Sequence, residues 1–286
     1  MNKLIDMHTH TNYSDGELSP DELIRLAIKR NIGTIAITDH DTIEGIKKVN
    51  KSQYKNINII NGIELSAKVP KGRMHILGYN IDLDSKELND KMSELKDNSI
   101  NSVLSLYEQL KKDYNIRFTY NDIKELVNAN HNLGRPDLAK LLIKYKYVNS
   151  INEAFEKYLN NSYAKIRGNN KGLQYQECIK LIKNSGGIPV LAHPKTLDLN
   201  DKEFLILLKN MLREGLEGIE VYHSIHSKEE MDYYLKIANE HNLLISGGSD
   251  YHGKLVKPDI ELGTGKNNNL HIKKLNLLNK NINKLY

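Results

Sequence analysis

Cysteine is all but missing from this 286-residue chain: Cys178 stands alone, so no intramolecular disulfide can form and a reduced, cytoplasmic setting is expected. Its flanks, "ECIKLIK", fit a helix with Cys178, Leu181 and Ile182 turned inward, so a core thiol is expected rather than a nucleophile. The start of the chain lacks the basic region, apolar stretch and small-residue cleavage site of a secretory signal, and no apolar run approaches a membrane span. A soluble protein with no membrane and no obligate protein partner is therefore expected. No tandem repeat is evident. The length suits one large α/β domain, or a domain carrying an insertion, and excludes a small stapled scaffold.

Acidic residues are scarce in one segment. Between Arg135 and Lys171 the basic residues Arg135, Lys140, Lys144, Lys146, Lys157, Lys165, Arg167 and Lys171 face only Asp137, Glu153 and Glu156, which accounts for the whole net charge of +5. Five aromatic residues, Tyr145, Tyr147, Phe155, Tyr158 and Tyr163, are interspersed. Such a segment is either a solvated lysine-rich face over core tyrosines or a surface for an anionic ligand; its place relative to a site decides which.

The opening third alternates strand and helix. Residues 3–7 are short and apolar, and "SPDELIRLAIKR" opens a helix with Ser19 as N-cap, Pro20 in the first position and Glu22 completing a capping box. "TIAIT" reads as a strand, "TIEGIKKVN" as a helix, and "INIINGIEL" and "MHILGYNI" as strands. From about residue 84 the pattern is purely helical, with Ile100, Val103, Leu104, Tyr107 and Leu110 on one face, then shorter helices near 121–130, 136–146 and 151–159. Alternation resumes after "GNNKG": helices at 174–185, 201–213 and 227–240 lead into "GIPVLAH", "LEGIEVY" and "LLISGGSD". Repeated βα units around a helical block predict a parallel α/β barrel, residues 1–113 and 171–265, with a basic helical insertion at 114–170. The Asn/Lys-rich tail, 266–286, reads as a terminal helix or a partly loose end.

Residues of metal-ligand type fall where these strands end: His8 and His10, then Asp39, His40 and Asp41, Glu64, His193, Glu220, and Asp250 with His252; His75 sits near the start of the fourth strand. Strand ends share one face of a parallel barrel, so these residues converge. His8 and His10 lie one residue apart, which puts both imidazoles on one side of a strand with Thr9 opposite, spaced to hold one divalent ion. HxH alone is weak. Six of the eleven histidines, however, occupy comparable positions, whereas satisfied core histidines do not usually gather at strand ends.

The order "DMHTH", "SDG", "TDHD", "GIELSA", "MHILGY", "LAHP" and "GSDYHG" resembles the PHP (polymerase and histidinol phosphatase) superfamily of metal-dependent phosphoesterases, over residues 4 to about 265. The resemblance implies a distorted seven-stranded TIM-like (β/α) barrel holding three divalent ions. His8, His10, Glu64 and Asp250 would hold one; Glu64, His75 and His193 a second; Asp15, His40 and His252 a third. Glu64, His193 and Asp250 would be the catalytic core, around an ion-activated water that attacks phosphorus. Mixed histidine and carboxylate donors suit Mn, Fe or Zn better than Mg, with Mn the first choice. Asp39 would orient His40 or its neighbours, and Asp41 would cap the helix that follows.

"GRPDLAKLLI" and the insertion resemble the nucleotide-active branch, described as 3',5'-nucleoside bisphosphate phosphatases and 5'-to-3' exoribonucleases. Arg135, Lys171, His223 and His226 are the expected substrate contacts: Arg135 offers a planar fork to phosphate, the insertion's tyrosines a stacking surface, and either histidine a proton for the leaving oxygen. His131, His241 and His271 read as surface residues. The expected substrate is a nucleotide phosphate ester, or the 5' end of a short RNA. The alternatives are a histidinol phosphate phosphatase and a non-catalytic PHP metal-binding module.

Overall fold

Period-two apolar runs and capped amphipathic helices give the chain its order in a computed structural model, which describes residues 3–69, 71–128, 132–166 and 172–279. Strand β1 (Leu4–Asp6) precedes α1 (Pro20–Lys29), where Ser19 Oγ accepts from Glu22 N and the Glu22 carboxylate accepts from Ser19 N, the capping box read in the sequence. After β2 (Ile32–Ile37) the expected helix over "TIEGIKKVN" shrinks to one turn, α2 (Glu44–Lys47). Its N-cap is Ile43, with no side-chain cap; Asp41 does not cap it, because its carboxylate accepts from Ser66 N at 2.8 Å. An uncapped helix begun by a β-branched residue has little to extend it.

Strands β3 (Asn58–Ala67) and β4 (Met74–Tyr79) form an antiparallel hairpin, with Glu64 opposite Leu77. The first three strands are parallel, and β4 is antiparallel to both β3 and its later neighbour β5 (Ile188–Leu191). The barrel is thus not wholly parallel as expected. Parallel neighbours need a crossover of about a dozen residues or more, and 68–73 is too short for one. Reversal carries the start of β4, with His75, to the face where the other strands end.

Helix α3 (Lys86–Tyr114) is 29 residues, roughly 44 Å at 1.5 Å per residue. Leu88, Met92 and Leu95 pack on the barrel, whereas Val103, Leu106, Tyr107 and Leu110 belong to a second core. That core is completed by α4 (Tyr120–Val127), α5 (Arg135–Lys144), α6 (Ile151–Ala154), the wider turn Phe155–Leu159 and α7 (Asn160–Ile166). One helix runs through both cores, and its packing changes from one to the other between Leu95 and Val103. The insertion is tied to the barrel by Asn132, which donates from its backbone to Tyr13 O (3.2 Å) and from its side chain to Asp41 O (2.6 Å). The chain returns beside β3, where Lys68 N donates to Leu173 O at 2.8 Å.

Helices α8 (Tyr175–Asn184), α9 (Asp201–Glu214) and α10 (Lys228–Glu240) lead into β5, β6 (Gly218–His223) and β7 (Leu244–Gly248). The seven strands follow chain order, and β7 closes toward β1 through Met7 N to Gly247 O (3.1 Å) and Asp250 N to His8 O (2.9 Å). Inside the barrel Ile5, Met7, Ala36, Leu77, Tyr79 and Val190 meet Ile272, Leu275 and Leu277 of the tail. The described part of the tail is neither a long helix nor loose: Ile5 N donates to Ile272 O at 2.8 Å. Among the described residues no helix is long and apolar enough to cross a membrane.

Candidate active site

Thr9 turns toward β2, donating from Oγ1 to Ala36 O at 2.6 Å, which leaves His8 and His10 together on the opposite side. Their Nε2 atoms lie 3.1 and 3.2 Å from Glu64 Oε2, while His8 Nδ1 is held by Glu220 Oε1 at 2.9 Å. Glu64, fully buried on β3, is the centre of the cluster: its Oε1 is 2.8 Å from both His75 Nδ1 and His193 Nε2, and its Oε2 is 3.2 Å from His40 Nδ1. Asp250 Oδ1 stands 3.2 Å from His10 Nε2 and 3.7 Å from His8 Nε2. A further corner joins Asp15 Oδ1 to His252 Nε2 at 3.1 Å and to His10 Nδ1 at 3.8 Å, with His40 close enough to share an ion. All nine residues read as ligands are thus gathered on one face. His193 and Asp250 have positive φ (23° and 57°), so local backbone strain is spent at the strand ends that aim them.

The donors fit divalent cations. His8 Nε2, both nitrogens of His10, Asp15 Oδ1, His40 Nδ1 and Glu64 Oε2 are buried without a hydrogen-bond partner among the described residues. So many orphaned polar atoms in one place are costly unless a cation satisfies them. Burial opposes ionisation at Glu64, yet His40, His8 and His75 hold it well below the ordinary carboxylate range. Burial is likewise outweighed at Asp15, chiefly by His252 and His40, and at Asp250, chiefly by Lys257 and His252. The carboxylates are therefore ionised and ready to ligate. Burial also disfavours charge on the histidines and pushes His40 down to about 3 and His193 down to about 4; at His10 contact with Asp250 and Glu64 prevails and raises it to about 9.

Supporting carboxylates brace the loops. Asp39 accepts from Thr11 N, Thr11 Oγ1 and Ser14 Oγ, each at 2.7 Å, so it fixes the loop leading to Asp15 rather than His40. Asp6 accepts from Ser249 N (2.8 Å), Ser249 Oγ (2.6 Å) and Gly263 N (2.8 Å), anchoring the turn that carries Asp250. Two neighbours of the cluster had no role in the sequence reading. Glu220, visible there only as a strand-end acid, accepts from His193 N at 2.7 Å as well as holding His8. Lys257, 2.5 Å from Asp250 Oδ2, sits in "LVKPD", which carries no signal.

A cavity of about 1370 Å³ runs from this cluster to the underside of the insertion. Arg135 lines it, its guanidinium 4.6 Å from the Tyr163 ring and 5.1 Å from the Phe155 ring. His223 lines it too. His226 does not: it is buried behind His223, with Nδ1 2.9 Å from Val221 O and its ring against Tyr234. Lys171, like Arg167 and His131, lies outside the described residues. Four lysines of the insertion are paired: Lys140 with Asp137, Lys144 with Asp122, Lys157 with Glu153 and Lys165 with Asp113.

A family model for the PHP domain matches residues 6–246. The chain belongs to the PHP domain family. The barrel and the motif order carried by its strand ends are those expected of PHP proteins. A 5'-3' exoribonuclease of Salmonella typhimurium is 30% identical over 268 residues, covering 91% of this chain and 88% of the relative. A 3',5'-nucleoside bisphosphate phosphatase of Chromobacterium violaceum is 26% identical, covering 87% of each. A solved structure from Bifidobacterium adolescentis, assigned as a metal-dependent phosphoesterase, superposes with a TM-score of 0.77 at 27% identity, over 92% of this chain and 91% of the other.

Proposed function

We propose that this PHP protein is a metal-dependent phosphoesterase that hydrolyses phosphate esters of nucleotides, with a nucleoside 3',5'-bisphosphate or the 5' end of a short RNA as substrate. The observation that carries the reading is the set of orphaned histidine and carboxylate atoms around Glu64, at the floor of a cavity whose roof presents Arg135 between two aromatic rings. His8, His10, Glu64 and Asp250 would hold one ion, Glu64, His75 and His193 a second, and Asp15, His40 and His252 a third; the mixed donors suit manganese, iron or zinc, with manganese our first choice. Divalent ions held there would supply an activated water at neutral pH and positive charge against the phosphoryl group.

The chain's own residues do the rest. Glu220 and the Asp250 carbonyl hold His8 and His252 by Nδ1 and so present their Nε2 atoms to an ion. Arg135 offers its fork to a second phosphate or to the backbone of an RNA end, and Phe155 and Tyr163 offer apolar faces beside it. The similarity to the exoribonuclease and the bisphosphate phosphatase supports nucleotide substrates over histidinol phosphate. A reduced cytoplasmic setting accords with the single cysteine, Cys178, which is buried and whose thiol burial pushes well up.

The test offers the Mn-loaded protein 3'-phospho-AMP, AMP, 5'-phosphorylated RNA and histidinol phosphate, and measures free phosphate and released nucleotide. Turnover of the bisphosphate or RNA is expected; a preference for histidinol phosphate overturns the substrate assignment. Asp250→Ala and His10→Ala should abolish turnover of every substrate.

A further inference from the structure

The neighbours of a histidine's ring nitrogens fix its tautomer. His8 Nδ1 lies 2.9 Å from Glu220 Oε1 and His252 Nδ1 lies 2.9 Å from Asp250 O; both neighbours are acceptors, so each holds a proton on Nδ1 and leaves Nε2 aimed at the carboxylates of the cluster, where a cation would take its lone pair. His223 is arranged the other way. Its Nδ1 accepts from the Ile225 backbone N–H at 3.2 Å, a donor that cannot be reversed, so the ring's own N–H lies at Nε2. That Nε2 is buried, faces Asp250 Oδ2 at 3.4 Å, and makes no hydrogen bond among the described residues. Asp250 Oδ2 is already engaged by Lys257 Nζ at 2.5 Å. The loop is rigidly held: Ser224 Oγ donates to Ser249 O at 2.5 Å, and Asn269 Nδ2 donates to Ser224 O at 3.0 Å.

We propose that His223 donates a hydrogen bond from Nε2 to a phosphoryl oxygen of the substrate, and is neither an ion ligand nor a proton-transferring acid. The inference rests on the phosphoesterase reading and names one of its substrate contacts. A protonated Nε2 has no lone pair for a cation. Releasing that proton would require Nδ1 to hold another, and the Ile225 N–H occupies that position; otherwise an imidazolate would remain. What is left is a fixed N–H dipole on the cavity wall beside Asp250, where oxygens of a phosphoryl group bound at the cluster would lie. A donor held in place this way, at a position where charge develops, is worth about 10²–10³ in rate. His226 packs behind it with ring centroids 5.3 Å apart.

The experiment compares wild type, His223→Ala and His223→Gln, with His193→Ala as a ligand-loss control. It reads manganese content after dialysis, inorganic phosphate affinity by calorimetry, and kcat across aryl phosphates of differing leaving groups. His223→Ala should keep the wild-type manganese content, bind phosphate about tenfold or more weakly, and lose about 10²-fold in kcat with an unchanged dependence on the leaving group. His223→Gln, which retains an N–H donor, should recover phosphate affinity to within a few-fold. Should the alanine variant fail to fold, the glutamine variant decides: full manganese with near-native phosphate affinity supports the donor, and lost manganese overturns it. Loss of manganese from His223→Ala, or a loss confined to poor leaving groups, also overturns it. A wild type that hydrolyses no ester fails the phosphoesterase reading, while its phosphate affinity still reads the donor.

Discussion

His10 stands between Glu64 and Asp250, and its titration links ion binding to stability. Without ions, burial works against its charge, but the two carboxylates hold it up to about 9, above the ordinary value of 6.5. A raised pKa favours the folded state below that ordinary value, and the gain is lost as pH climbs through about 9. His40 and His193, pushed by burial down to about 3 and about 4, act oppositely: their contribution is complete above 6.5 and lost as pH falls toward 4. On the proposed ligation an ion would displace the His10 proton, so its affinity should rise with pH. In chelator the Tm should therefore fall between about pH 7 and 9.5, whereas with manganese it should hold or rise. Scanning calorimetry decides; a Tm in chelator that climbs steadily over that range would contradict the charge assigned to His10. The gathering of these nine residues on one face was legible because histidine and carboxylate are the residues least tolerated at a buried strand end without a role. Glu220 was visible only as one more acid, and Lys257 not at all, since its partner Asp250 is set by the turn between them.

At the level of elements, strand positions could be read from apolar runs, but strand direction could not, because periodicity is the same both ways. The length of 68–73 held the missing information about β4. Composition misled at the tail, where Asn and Lys mask the apolar residues Ile272, Leu275 and Leu277 that pack with Ile5, Met7 and Leu77. Leu277 is fully buried, so Leu277→Ala should cost about 2–5 kcal/mol by urea denaturation. A loss below about 0.5 kcal/mol would mean the tail is dispensable packing. Asn132 is the corresponding test for the insertion. Its side-chain bond to Asp41 O fastens the roof to the ion face, and Asn132→Ala should cost about 1–3 kcal/mol and raise KM more than it lowers kcat. An unchanged KM would separate the roof from substrate binding.

Across the whole molecule the cavity lies where two cores meet along α3, and the insertion's charge must be judged from that cavity. The excess of lysine suggested a broad electropositive surface, yet Lys140, Lys144, Lys157 and Lys165 each sit beside a carboxylate of the insertion or of α3. Such pairs screen one another, and exposed ones contribute little at a distance. Arg135 lines the cavity itself, with the Phe155 and Tyr163 rings beside its guanidinium. Anion recognition should therefore be local rather than spread over the insertion. Arg135→Ala should raise KM for a nucleoside bisphosphate about tenfold with little change in kcat, since a charge-assisted bond to phosphate is lost while the ion cluster is untouched. Lys144→Ala and Lys157→Ala should leave KM within about twofold. Steady-state kinetics at low and moderate salt separates the two pictures: equal losses for all three variants, growing as salt is lowered, would restore the broad surface and remove Arg135 from its assigned role.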